Sequence, residues 1–236
     1  MPEPILVLRL EGPLQSWGER ARWDVRDSLR EPTKSAVIGL LGAALGVRRT
    51  DRASLHSLDR TLRFGVRVEH EGTALEDFHT VTGLLPKAEG GRPKEGTIIS
   101  QRRYLADAAF LVMLVSHPAD RGKTVERCAQ ALRAPYWPLV LGRRSCPPTR
   151  PVLVEVTSDY ESLEAALAGY PWSWQGEGGT PRARPIDVSG RADGLRVVID
   201  DEGGEFQRQD VIELNEVRLY ERRRVREFRV TWPGEA

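Results

Sequence analysis

Apolar residues run almost unbroken over positions 5–10, with Arg9 the single interruption, and Gly12-Pro13 closes the run. Such a run bounded by turn residues predicts a central strand. Over 33–47 the apolar positions Ala36, Val37, Leu40, Leu41, Ala44 and Leu45 recur at helical spacing, with Thr33 or Ser35 available as N-cap and Gly46 near the stop. Gly39 and Gly42 interrupt that helix. Each costs up to about 1 kcal/mol against Ala, which points to close approach of another backbone. Leu62, Phe64, Val66 and Val68 alternate with Arg63, Gly65 and Arg67, the period of a half-buried strand. A longer apolar strand follows over 108–115. Residues 125–132 form an amphipathic helix with Val125, Cys128, Ala129 and Leu132 on one face.

A further strand, from 152–156 or 139–141, completes the order βαββαβ. The expected fold class is therefore α+β, a ferredoxin-like (RRM-type) body of the kind common among RNA binders. Fold alone assigns no activity. Between the two middle strands, residues 76–103 are too long for an ordinary hairpin turn and carry Gly83, Pro86, Gly90, Gly91, Pro93 and Gly96, so they should project as an arm or thumb. The expected organisation is a first domain over 1–170 with the thumb inserted at about 76–103, a Gly-, Pro- and Arg-rich linker over 171–185, and a small β appendage over 186–236. Strands at 186–188, 195–199, 217–220 and 225–230 would build that appendage, separated by Asp193-Gly194 and Gly203-Gly204 turns.

The 236 residues carry a formal charge of +1, so any nucleic-acid surface must be local. The start lacks a basic segment followed by an apolar one, and the longest apolar run, 36–47, is far short of the roughly 20 residues that span a bilayer. The expectation is a cytoplasmic protein with no membrane partner. Cys128 and Cys146 have no second ligand pair at zinc spacing and read as packing thiols, and no metal or cofactor is expected.

Four constellations could carry chemistry. Gln15, Ser16 and Trp17 follow the first strand, where they offer hydrogen bonds and a stacking face to single-stranded RNA, or else a tight turn with a half-buried Trp. The segment is not a Walker loop, because Glu19-Arg20 replaces the required Lys-Ser/Thr pair. Lys34 at the start of the glycine-bearing helix could add its charge to a phosphate site, or simply be solvated beside an ordinary N-cap. Arg143, Arg144 and Ser145 lie on a loop entered through Gly142 and left through Pro147, with Tyr136 and Trp137 upstream as candidate stacking surfaces. In the arm, His79 at the base and Arg102, Arg103 and Tyr104 at the return form an RNA clamp or an acid/base cluster. The arginine-rich run 222–229 reads as a strand whose charges pair with nearby glutamates. Trp172 and Trp174 could anchor a partner or pack as a lid.

Taken in order, these segments resemble a known family. Leu8 through Gly18, then Pro32-Thr33-Lys34-Ser35 running into Gly39 through Gly46, is similar to the N-terminal signature of the type I-E branch of the CRISPR-associated protein 5 family. Phe78-His79-Thr80-Val81, then Arg103-Tyr104-Leu105 with Asp107, Ala108 and Phe110, then Tyr136 and Leu141-Gly142-Arg143-Arg144-Ser145-Cys146-Pro147 resemble later blocks in the same order. The resemblance covers about the first two-thirds of the chain. It implies a ferredoxin-like body with a thumb. It also implies a non-catalytic role capping one end of Cascade, a CRISPR antiviral surveillance ribonucleoprotein. The implied partners are the 5′ handle of the crRNA, the large PAM-reading subunit, the terminal backbone subunit and, through the complex, target DNA. The RNA-binding residues then expected are Gln15, Ser16, Trp17, Lys34, His79, Arg102, Arg103, Tyr104, Arg143, Arg144 and Ser145. Two alternatives stand beside this: a metal-independent endoribonuclease using His79 and a Lys such as Lys87 or Lys94, and a protein-only adaptor.

Overall fold

The structure, a computed structural model, describes residues 2–18, 25–85, 94–172, 194–212 and 220–231. Its elements are β1 (Ile5–Glu11), β2 (Leu14–Gln15), β3 (Val25–Arg26), α1 (Lys34–Leu45), α2 (Arg52–Thr61), β4 (Leu62–His70), β5 (Thr73–Leu85), β6 (Lys94–Ala106), β7 (Ala109–Ser116), α3 (Lys123–Arg133), β8 (Leu153–Thr157), α4 (Leu163–Gly169), β9 (Leu195–Asp200), β10 (Phe206–Ile212) and β11 (Tyr220–Val230). The result is a mixed α/β fold on antiparallel sheets. The larger sheet has seven strands in the order β10-β11-β9-β4-β7-β1-β8, and every neighbouring pair in it is antiparallel. Of the two candidates for a strand after α3, 153–157 forms one and 139–141 does not. Among the described residues no helix is long and apolar enough to cross a membrane.

β1 is apolar on both faces because both are covered. Leu6, Leu8 and Leu10 pack with Val37, Ile38 and Leu41 of α1 and with Val125, Cys128 and Ala129 of α3. Ile5 and Val7 pack with Leu163, Ala166 and Leu167 of α4 on the other side. Burial pushes the Cys128 thiol up to about 11, which suits a packing role. The Thr33 hydroxyl caps α1 by accepting from the Ala36 N–H, and Gly46 ends it in the left-handed region at φ 72°. The two interior glycines differ from expectation. A side chain at Gly39 would meet open space, and one at Gly42 would strike the Leu55 side chain of α2, so neither faces another backbone.

β4 was expected to be half-buried, and α4 makes the difference. Arg67, on the face that reads as polar, is fully buried beside Glu69 and donates to the carbonyls of Leu167 and Tyr170 at 2.7 and 2.8 Å. Those are carbonyls at the C-terminus of α4, which lack partners within the helix, so one buried guanidinium fixes where α4 docks. α4 itself was not visible in the sequence because seven residues hold too little periodicity.

The C-terminal strands also differ from expectation. Rather than a small separate appendage, β9 pairs with β4 (Gly65↔Ile199 to Arg67↔Val197), β11 pairs with β9, and β10 takes the sheet edge. The expected strand at 186–188, the linker beyond Trp172, Trp174 and the expected start of a strand at 217 lie outside the described residues. Charge pairing holds this half together, but the partners of the arginine-rich run among the described residues are three aspartates and Glu164 rather than the nearby glutamates expected. Arg223 pairs with Asp200 and Asp210, and Arg226 with Asp201 and Glu164.

The arm is a hairpin of two 13-residue strands, β5 and β6, in continuous register from Thr73↔Ala106 to Leu85↔Lys94. At about 3.4 Å per residue it extends roughly 40 Å. Phe78 and Leu84 are 64% and 73% exposed. β2 and β3 attach to β6 near its C-terminal end, forming the second sheet.

Candidate nucleic-acid interface

The segment after β1 turns inward. Trp17 is 0% exposed, and its indole N–H donates to the Gln15 side-chain oxygen at 3.1 Å. The Gln15 amide in turn donates to the carbonyls of Ala108 at 2.6 Å and Leu10 at 3.3 Å. The Ser16 hydroxyl donates to the Arg103 carbonyl at 3.2 Å. These three residues therefore present no stacking face or free donor to RNA. A buried indole and amide need partners, and here they satisfy each other and two strand ends. Of the two readings of this segment, the packed turn is the one observed.

Lys34 is likewise internal. Its ammonium lies 3.1 Å from Asp200 and 3.8 Å from Asp59, and its backbone N–H donates to Asp210 at 2.6 Å. The helix N-terminus expected to receive a phosphate is occupied by a carboxylate from β10, which supplies the same negative charge to the dipole. Glu31 completes this buried network between Arg208 and Arg196, at 2.6 and 2.9 Å.

The loop 141–146 packs against the post-β1 segment and the base of the hairpin. The Ser16 N–H donates to the Leu141 carbonyl at 3.1 Å, and Gly142 has φ 91° with the Ser16 carbonyl where any β-carbon would sit, 1.8 Å away. Only glycine fits that turn. Arg143 then reaches across. Its guanidinium lies 4.6 Å above the Tyr104 ring and donates to the carbonyls of Arg103 (3.1 Å), Arg26 (3.1 Å) and Asp27 (3.4 Å). Arg143 and the buried Tyr104 thus organise the site, tying three chain segments together. Beside them Arg144 and Ser145 are exposed, and Arg144 has no carboxylate partner among the described residues.

On the hairpin the clamp splits between two faces. Side chains alternate along a strand, so Arg102 shares a face with Tyr104, Ser100, Asp77 and His79, whereas Arg103 points to the other with Glu76 and Phe78. Arg102 donates to the Ser100 hydroxyl at 3.2 Å, and Arg103 pairs with Glu76 at 3.1 Å. His79 Nδ1 lies 3.6 Å from Asp77. Arg102 and Tyr104 therefore share one hairpin face with His79 further out, and Arg144 and Ser145 follow the braced Arg143 in the loop. Missing from the sequence reading was the segment 26–28, whose carbonyls hold Arg143 and whose Ser28 hydroxyl accepts from the Trp17 N–H at 2.9 Å. Backbone acceptors leave no residue-type signal.

The chain is thus a mixed α/β body on antiparallel sheets with a long exposed hairpin and an arginine loop braced at its base. The chain belongs to the Cas5 family: the family described as CRISPR-associated protein (Cas_Cas5) matches residues 5–232. It is 38% identical over 170 residues to the Escherichia coli (strain K12) protein named CRISPR system Cascade subunit CasD, covering 69% of this chain and 75% of that protein. Among solved structures it is similar to a chain of a CRISPR RNA-guided surveillance complex, with a TM-score of 0.69 and 33% identity, covering 98% of this chain and 91% of the other. It is also similar to a crystal structure of a Cas protein, with a TM-score of 0.62 and 32% identity over 98% of this chain and 100% of the other.

Proposed function

We propose that this chain is a cytoplasmic subunit of a type I-E CRISPR surveillance complex that holds the 5′ repeat-derived handle of the crRNA without cutting it. The observation that carries the reading is the brace of Arg143 on Tyr104 and three backbone carbonyls, which fixes the loop carrying exposed Arg144 and Ser145 against the base of the hairpin. Arginine presented on a rigid loop suits bidentate phosphate contact. Likeness to a Cascade subunit and to a surveillance-complex chain supports the same reading. The succession β1, α1, β4, β7, α3, β8, with β4-β7-β1-β8 as neighbours, supports a ferredoxin-like (RRM-type) body, and the β5–β6 hairpin would then be its thumb. In this reading the thumb's exposed Phe78, Leu84 and Ile99 meet the guide and a backbone subunit, while another surface meets the large PAM-reading subunit. Target DNA is reached only through the assembly.

Binding of the full chain to handle RNA should weaken with salt, and Arg144→Ala should reduce the slope of log affinity against log salt by about 0.7, the value for one phosphate on a single strand. Titration by fluorescence anisotropy at several salt concentrations measures it, and an unchanged slope removes Arg144 from the site. In the assembled complex, ultraviolet crosslinks from this subunit should map to the 5′ end of the guide.

The absence of cleavage is tested separately. Incubated with repeat RNA in EDTA, the purified chain should yield no handle-sized fragment, and His79→Ala should change nothing. Fragments that form in the parent chain and vanish in the variant would establish the endoribonuclease reading instead.

A further inference from the structure

We propose that the surface where α1 and α3 end is a second contact site, for a single-stranded nucleic-acid segment other than the handle. Tyr136 is 71% exposed and Trp137 is exposed beside it, their rings edge to face with centroids 5.0 Å apart. The pair is held in place rather than dangling. The Tyr136 N–H donates to the Ala44 carbonyl at 3.0 Å and the Trp137 N–H to the Ala43 carbonyl at 3.2 Å, satisfying the last turn of α1. The Tyr136 ring lies directly against Gly46, where a β-carbon would sit 3.0 Å from its Cγ. Preset aromatic faces stack bases at little entropic cost.

Three arginines lie close in the chain to the elements that carry the rings. Arg48 and Arg49 follow Gly46, and Arg133 is the last residue of α3, three positions before Tyr136. All three are exposed, and none is paired with a carboxylate among the described residues. The one nearby acid in sequence, Asp51, already accepts from Ser54 as the cap of α2. In a chain of net charge +1 this is a local cationic excess. A protein hot spot would need an apolar surround to exclude water, but among the described residues the large exposed hydrophobic side chains of this segment are the two aromatics themselves. Stacking faces with exposed guanidinium groups on the adjoining chain fit an unpaired, phosphate-bearing strand better.

The patch lies where α1 ends, whereas the braced loop packs on the segment after β1 and the base of the hairpin. The chain leaves that cluster at Leu29, whose N–H donates to the Trp17 carbonyl, and enters α1 at Lys34. Twelve helical residues then carry it about 18 Å to Gly46. The inference does not depend on the handle-binding reading.

The test uses the guide-loaded complex and a fluorescein-labelled oligothymidylate of about 15 nucleotides, long enough for one stacking platform. Tyr136→Ala with Trp137→Ala should weaken its binding by about 10-fold or more. Arg48→Gln, Arg49→Gln and Arg133→Gln together should flatten the salt slope by about 2. Guide retention should be unaffected in both. Unchanged affinity in the aromatic variant, or an unchanged slope in the arginine variant, overturns the proposal. So does loss of guide together with oligonucleotide, which would place the patch on the guide's own path. If the aromatic variant fails to assemble, the arginine variant decides, since its side chains are exposed. Failure of handle binding would appear elsewhere, as an unchanged salt slope for handle RNA in Arg144→Ala.

Discussion

Trp17→Ala should lower the stability of the chain by about 3–5 kcal/mol, the usual range for deleting a fully buried indole. Trp17 is completely enclosed, and its N–H is the partner of the Gln15 oxygen, so the substitution both opens a cavity and leaves a buried acceptor unsatisfied. Gln15 also ties β1 to the start of β7 through Leu10 and Ala108, so the damage should spread to the brace that carries Arg143. The midpoint of urea unfolding measures the effect, and Trp17→Phe should recover most of the packing term but not the hydrogen bond. RNA affinity per folded molecule should fall far less than stability does. The opposite result, unchanged stability with RNA binding abolished, would mean that the ring faces RNA after all.

Arg223→Leu should be the second large effect, again about 3–5 kcal/mol, because it leaves the buried Asp210 carboxylate without its charge partner and Asp200 with Lys34 alone. Arg223 is the shared partner of Asp200 and Asp210, and Asp210 also receives the α1 N-terminal N–H. Hydrogen exchange should show β10 and β11 opening well before β1 and β7. Lys in place of Arg should recover only part of the loss, since a point charge cannot bridge two carboxylates in the same geometry. Full stability in Arg223→Leu would show that the network is dispensable.

Acid should loosen the same region. Burial would raise the Glu31 carboxyl, but the charges and hydrogen bonds of Arg196 and Arg208 outweigh it and hold the group below the usual glutamate range. A carboxyl lowered on folding stabilises above its unfolded value, and that contribution is lost as pH falls through the folded value. Asp59 has the opposite sign: burial raises it more than Lys34 and the Ile212 N–H lower it, so its ionisation opposes folding. Glu31→Gln should therefore reduce the acid sensitivity of the C-terminal strands in an unfolding series from pH 7 to pH 3, and Asp59→Asn should not. An identical acid profile in Glu31→Gln would sink the assignment.

The errors of the sequence reading share one cause. Lys34 and Asp210 are 176 positions apart, and no local pattern reports that a carboxylate will fill a helix N-terminus. Arg102 and Arg103 look like one basic pair until strand alternation sends them to opposite faces. Arg143 and Arg144 look equivalent, yet one is committed to backbone carbonyls and the other is exposed. By contrast, Gly142 and the Pro residues after Cys146 did mark a tight loop.

What the amino-acid order determined by itself was everything carried by local periodicity and capping. That includes the buried run of β1, the helix from Thr33 to Gly46, the long hairpin and the position of the arginine loop. Only the tertiary structure decided which polar side chains face solvent and which are internal partners, and that β9–β11 continue the first sheet. The physical reason is that hydrophobic period follows from neighbours a few residues apart, whereas the fate of a charge or an indole is set by whichever distant group arrives to satisfy it.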